Sequence, residues 1–159
     1  MNTNQTMAEC VILIGLPGSG KSTFYRERLA ATHELISKDL WPNARQRDSR
    51  QRRQLDAALA AGRSVAIDNT NLTIRDRSAI IGAARNHRAR VIGYFFDVST
   101  RACVARNANR EGRAKVPNVA IFAGAKRLEP PTQTEGFDEL FRVTMDARGD
   151  PTVSRPSPG

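Results

Sequence analysis

The sequence predicts an α/β fold in which a five-stranded parallel sheet is flanked by helices. Three observations predict it. Apolar runs without polar alternation recur, "CVILIG" at 10–15 and "RVIGYFF" at 90–96, as strands buried on both faces require. Helical segments separate successive strands, and parallel neighbours need such crossovers. The first strand also runs directly into a glycine-rich turn that opens a helix.

In chain order, "CVILIG" is the first strand and "STFYRERLAA" the helix after the turn. "HELIS" (33–37) reads as a short second strand. "DSRQRRQLDAALAAG" (48–62) reads as a helix stopped by Gly62. "SVAID" (64–68) is the third strand, and "TIRDRSAIIGAARNH" (73–87) a helix with Thr73 as its N-cap. "RVIGYFF" is the fourth strand. Ser99 caps a helix through "TRACVARNAN", and Pro117 opens another through "NVAIFAGAKRL", since proline suits a first helical turn. "EPPTQTEG" is loop, and "LFRVTM" (140–145) the fifth strand. Residues 149–159, polar and rich in proline, are expected to be a flexible tail behind a single domain spanning 1–148.

The totals narrow the function. The chain has 159 residues, 40% of them hydrophobic and 26% charged, which suits one globular domain. No apolar run approaches the length of a membrane span. "MNTNQTMAEC" has neither a basic start nor a long apolar stretch, so no secretory signal is expected. Two cysteines, Cys10 and Cys103, without framework spacing favour a reducing, cytoplasmic setting. With only His33 and His87 besides, a structural zinc site is not expected. The net charge is +9, and most of the excess falls in two windows. One holds Lys38, Arg45, Arg47, Arg50, Arg52 and Arg53 against Asp39 and Asp48. The other holds Arg101, Arg106, Arg110, Arg113 and Lys115 against Glu111. Clustering of this kind favours a polyanionic partner over general solubility.

"GLPGSGKS", Gly15 to Ser22, fits G-x-x-x-x-G-K-[ST] and stands between a strand and a helix as that motif requires. Its glycines (Gly15, Gly18, Gly20) let the chain turn tightly, so that successive N–H groups, with Pro17, Ser19 and Thr23 around them, face phosphate oxygens. Lys21 then reaches the β- and γ-phosphates of ATP, and the Ser22 hydroxyl ligates Mg²⁺. A second Mg²⁺ ligand is expected at a strand end, where open α/β sheets bind ligands. Asp68 in "SVAIDNTN" holds that place, with Asn69 and Asn71 beside it.

"GLPGSGKSTF", "SKDLW", "VAIDNTN", "FFDVSTRACVARNANREGRAKVP" and "EPPTQTEGF" occur in that order. Together they resemble the 5′-hydroxyl polynucleotide kinase family, the kinase domain of polynucleotide kinase/phosphatase enzymes, over residues 10–145. The resemblance implies a P-loop kinase fold with a helical lid and transfer of the ATP γ-phosphate to the 5′-hydroxyl of DNA or RNA. It implies that Asp39 is the general base and that Arg106 and Arg110 are lid arginines on the nucleotide phosphates. It also implies that Thr132, Glu135 and Phe137 lie near the adenine. The sequence departs from the family at Pro42, where some members carry a substrate-binding arginine, so Arg45 or Arg47 is expected to substitute. The family often carries a phosphatase domain, for which this sequence has no motif.

Physically, a carboxylate within hydrogen-bond reach can take the proton of an attacking hydroxyl. Arg106 and Arg110, four apart, share a face if the helix continues through both, and Gly112 lets the chain fold over. Arg50, Arg52 and Arg53 would attract a strand of phosphates, and Trp41 would stack on a terminal base or join the core. Phe24, Tyr25, Phe95, Phe96 and Phe122 read as core. Two alternatives share the P-loop. One is a phosphotransferase for a small-molecule hydroxyl (sugar, nucleoside or antibiotic), which does not require two basic windows. The other is a non-catalytic ATP-binding module, which does not require Asp39.

Overall fold

The computed structural model describes residues 7–42, 45–112 and 115–156. Strand β1 (Glu9–Ile14) lies centrally between β3 (Val65–Asp68) and β4 (Arg90–Phe96), with β2 (Glu34–Ile36) outside β3 and β5 (Glu139–Met145) outside β4. These five strands are parallel, as the buried apolar runs require. Along β1, Cys10, Ile12 and Ile14 enter one core and Val11 and Leu13 the other. Helices α2 (Arg47–Ala60) and α3 (Ile74–Asn86) close the first core through Leu55, Leu59, Ile80 and Ile81. Phe24 and Leu29 close the second, and Phe24 packs edge-on against Phe96 with ring centroids 5.3 Å apart.

Thr73 caps α3 by accepting from the Asp76 N–H at 3.1 Å. Ser99 caps α4 (Thr100–Ala108) by accepting from the Ala102 N–H at 3.1 Å. Helix α5 (Asn118–Arg127) starts directly after Pro117. The helix after the glycine turn is regular only over α1 (Lys21–Phe24) and then widens to a π turn, Tyr25–Leu29. The wide turn accompanies a hydrogen bond from the Tyr25 hydroxyl to the His33 carbonyl at 2.7 Å.

The segment expected to be a flexible tail behaves differently. Pro151–Ser154 form β6, a sixth strand antiparallel to β5, so the sheet is mixed. The turn before it is built by Asp146, whose Oδ1 accepts from the N–H groups of Arg148 and Asp150, and by Gly149 at φ 81°. Val153 packs on the second core, and Arg155 pairs with Glu139 at 2.9 Å. A proline opens the strand, as an edge position allows. Residues 157–159 lie outside the described residues. No helix among the described residues is long and apolar enough to cross a membrane.

Candidate active site

The carboxyl ends of β1, β2 and β3 meet at one edge of the sheet, and the register sets Leu13 beside Asp68. The loop after β1 is pinned to the loop after β3, because the Gly15 N–H donates to the Thr70 carbonyl at 3.0 Å. Asn71 completes the seam. At φ 49° it turns its amide inward to donate to the Leu13 carbonyl at 2.8 Å. Beneath it the fully buried Arg77 donates to the Asn71 carbonyl at 2.9 Å and pairs with Glu135 at 2.8 Å.

Over this seam opens a cleft of about 1230 Å³. The glycine turn forms one wall. Gly18 has φ 83°, and a methyl group there would stand 2.5 Å from the Cys103 carbonyl oxygen, so the loop can lie against α4 only as glycine. Lys21 is buried and donates to the Gly15 and Leu16 carbonyls, both at 2.9 Å. Burial pushes its pKa down to about 8; Asp68 acts against that, and Arg110 adds to it. The Ser22 hydroxyl donates to Asp68 Oδ2 at 2.7 Å. The Ser19 hydroxyl is buried without a partner among the described residues.

Asp39 stands on another wall. Ser37 caps a 3-10 turn, Lys38–Leu40, by accepting from the Asp39 N–H at 3.3 Å. Asn69 holds the same turn: its Oδ1 accepts from the Lys38 N–H at 2.9 Å and its amide donates to Gln51 at 2.6 Å. The Asp39 side chain is exposed and lines the cleft with Lys21, Ser22 and Asp68. Arg106 from α4 and Arg110 just beyond it line the cleft too. Arg110 lies past the helix end rather than on its face. The strap after α4 is fixed by the buried Asn107, whose amide donates to the Val116 carbonyl at 2.6 Å and whose carbonyl accepts from the Val116 N–H at 3.0 Å. Gly112 takes φ 60° within the strap, and Arg113 lies outside the described residues.

Not every expected residue joins the cleft. Arg47 lines it, but Arg45 is exposed and is not among the lining residues. Arg50 lies with its guanidinium 4.5 Å over the Trp41 ring, and Trp41 is itself a core residue, 8% exposed. Asn71 reaches the cleft, but its amide is occupied by backbone. Thr132 and Glu135 form a capping box, Glu135 pairs with Arg77, and Phe137 is buried against the sheet; none of the three lines the cleft. Phe122 is 52% exposed, not core. Arg26, Gln51, Arg75 and Arg127 line the cleft without any signal in the local sequence. They come from helix faces that only the tertiary fold turns inward.

The sequence model of the family described as an AAA domain matches residues 10–131, and the chain belongs to that family. Its architecture is that of a P-loop kinase domain. The bifunctional polynucleotide phosphatase/kinase of Schizosaccharomyces pombe is 28% identical over 146 residues, which cover 89% of this chain and 35% of that protein. The chain spans about a third or less of the length of the curated relatives it matches. Among solved structures, Kti12 of Chaetomium thermophilum in complex with ADP-AlF3 superposes with a TM-score of 0.64 at 20% identity, covering 86% of this chain and 89% of that one. A fungal RNA kinase gives 0.65 at 18% over 91% and 40%. A gluconokinase from Sinorhizobium meliloti gives 0.62 at 18% over 87% and 83%. These three likenesses establish the fold alone.

Proposed function

We propose that the chain is an ATP-dependent kinase that transfers the γ-phosphate to the 5′-hydroxyl end of DNA or RNA. The observation that carries this reading is the position of Asp39. An exposed carboxylate, held on a turn fixed by Ser37 and Asn69, faces the same cleft as Lys21, Ser22 and Asp68. A module that only binds ATP has no use for it. The relation to polynucleotide phosphatase/kinase and the basic lining of the cleft favour a polynucleotide acceptor.

The residues divide the work. The glycine turn and Lys21 bind the β- and γ-phosphates. The Ser22 hydroxyl and the Asp68 carboxylate, an all-oxygen pair in contact, fit Mg²⁺, which prefers one or two protein oxygens and takes its other ligands from water and phosphate. Among the described residues no cluster of three acids, histidines or cysteines offers a closed metal cage. Held there, the ion would supply charge neutralisation at the ATP phosphates. Asp39 accepts the proton of the acceptor hydroxyl as its oxygen bonds to the γ-phosphorus and the bond to the β-phosphate oxygen breaks, releasing ADP. Arg106 and Arg110 place positive charge where the leaving oxygen becomes more negative.

One observation favours a small-molecule acceptor instead. Lys38 pairs with Asp48, and Arg52 with Asp56 at 3.0 Å, so the α2 wall offers less free charge than its sequence indicates. The Lys38 hydrogen bond holds the Asp48 carboxyl below the usual range. The deciding experiment measures transfer of labelled γ-phosphate to oligonucleotides with 5′-hydroxyl ends and to a panel of sugars and nucleosides. Preferential labelling of oligonucleotides is expected; labelling confined to a sugar or nucleoside would replace the reading.

A further inference from the structure

The cleft has another basic rim, at the junction of α5 and α3. The Glu129 N–H donates to the Leu72 carbonyl at 2.9 Å, and the Ile74 N–H donates to the Glu129 carboxylate at 3.3 Å. These bonds tie the chain leaving α5 to the first turn of α3. Arg127, the last residue of α5, and Arg75, in the first turn of α3, are thereby brought to one rim of the cleft. Both are exposed, and neither has an ion-pair partner among the described residues. Asp76 lines the same rim, so the charge is reduced but not cancelled. By contrast, Lys38 of the 3-10 turn and Arg52 of α2 are already paired, with Asp48 and Asp56.

We propose that Arg75 and Arg127 clamp an internucleotide phosphate of the acceptor, beyond the first one inboard of the reacting 5′ end. The proposal rests on the kinase reading above and names where the polynucleotide is held. The ATP phosphates have their own ligands in the glycine turn and Lys21, so a further pair of unpartnered guanidinium groups calls for a further anion. The sheet order gives the side: α3 follows β3, which lies between β1 and the strand leading to Asp39. Guanidinium forks match phosphate oxygens, and contacts of this kind position a strand without reading its bases.

The test compares acceptors carrying one phosphate (a nucleoside 3′-monophosphate) with a single-stranded hexanucleotide, using wild type, the Arg75→Gln/Arg127→Gln double variant and Arg88→Gln at the far end of α3. The expected result for the double variant is a KM for the hexanucleotide raised about three- to tenfold, as loss of two exposed charge contacts implies. Its KM for the monophosphate should move far less. Binding of the hexanucleotide, followed by fluorescence anisotropy, should lose about 0.7 from its log–log salt slope, the value for one single-strand phosphate contact. Arg88→Gln should leave the slope unchanged. Equal salt slopes for wild type and the double variant would overturn the clamp, as would an equal KM rise on both acceptors. Should wild type label no polynucleotide at all, the kinase reading fails by itself, and the clamp stands or falls on the salt slope.

Discussion

The two working walls of the cleft are built by different means. The nucleotide wall is backbone: a glycine turn pinned to Thr70 and seamed by Asn71, with Lys21 buried beneath it. The wall proposed for the acceptor is side chains on separate elements, with Asp39 on a 3-10 turn, Arg47 on α2, Arg75 on α3 and Arg127 on α5. A backbone site needs contiguous residues and so is written as a motif. A side-chain site needs only that helices end near one another, and no local pattern records that.

Substitutions should separate the walls. The largest effect is expected for Lys21→Ala, which removes the buried charge from the phosphates; turnover should fall by about 10²–10³-fold or more on every acceptor. Retention of near-normal turnover would break the division at its strongest point. Arg110→Ala should lower kcat by about tenfold to 10²-fold with little change in acceptor KM, because its contact strengthens as charge develops. A change confined to acceptor KM would move Arg110 to the other wall. Asn71→Ala should act on the fold rather than on either substrate. It leaves the Leu13 carbonyl without its side-chain donor and places alanine at φ 49°, at a cost of about 1–3 kcal/mol. Thermal unfolding should fall by about 2–4 °C for each kcal/mol.

The smallest expected effect is a fraction of a proton. Burial holds Lys21 near a pKa of about 8, and bound phosphates favour its charged form, so ATP binding raises that pKa. Near pH 8 about half of the free lysines are neutral, and binding should take up about half a proton; near pH 6.5 the uptake should almost vanish. Affinity for ATP should accordingly weaken as pH rises above 8. Calorimetry in buffers of different ionisation enthalpy measures the uptake directly. Uptake that does not change with pH would remove Lys21 as the titrating group.

The same contrast explains what the sequence made legible. The five parallel strands follow from apolar runs, and the glycine turn, Thr73 and Ser99 from local chemistry. The pairing of β6 was hidden because "DARGDPTVS" reads as polar loop. Its strand character comes from the open edge of β5 and the core beneath Val153. Trp41, open in the sequence between base stacking and the core, is buried, and the exposed Arg50 lies over its ring. The α2 charges looked available because Asp48 meets Lys38 of the neighbouring 3-10 turn, and Asp56 meets Arg52, only in the folded chain. Arg75 and Arg127, 52 positions apart in sequence, both line the cleft in a fold where Glu129 ties the end of α5 to Leu72 and Ile74.

Asp39 belongs to both descriptions, because a short motif places it and the tertiary fold turns it toward the nucleotide wall. The central claim is that it takes the proton of the attacking hydroxyl. Single-turnover phosphoryl transfer by Asp39→Asn, at saturating ATP and oligonucleotide, tests this most directly. Asparagine keeps the shape and the turn but cannot accept the proton, so the rate should fall by about 10²–10⁴-fold while both substrates still bind. A loss of less than about threefold, far below the range for a general base, would contradict the account and leave Asp39 as a surface residue of its turn.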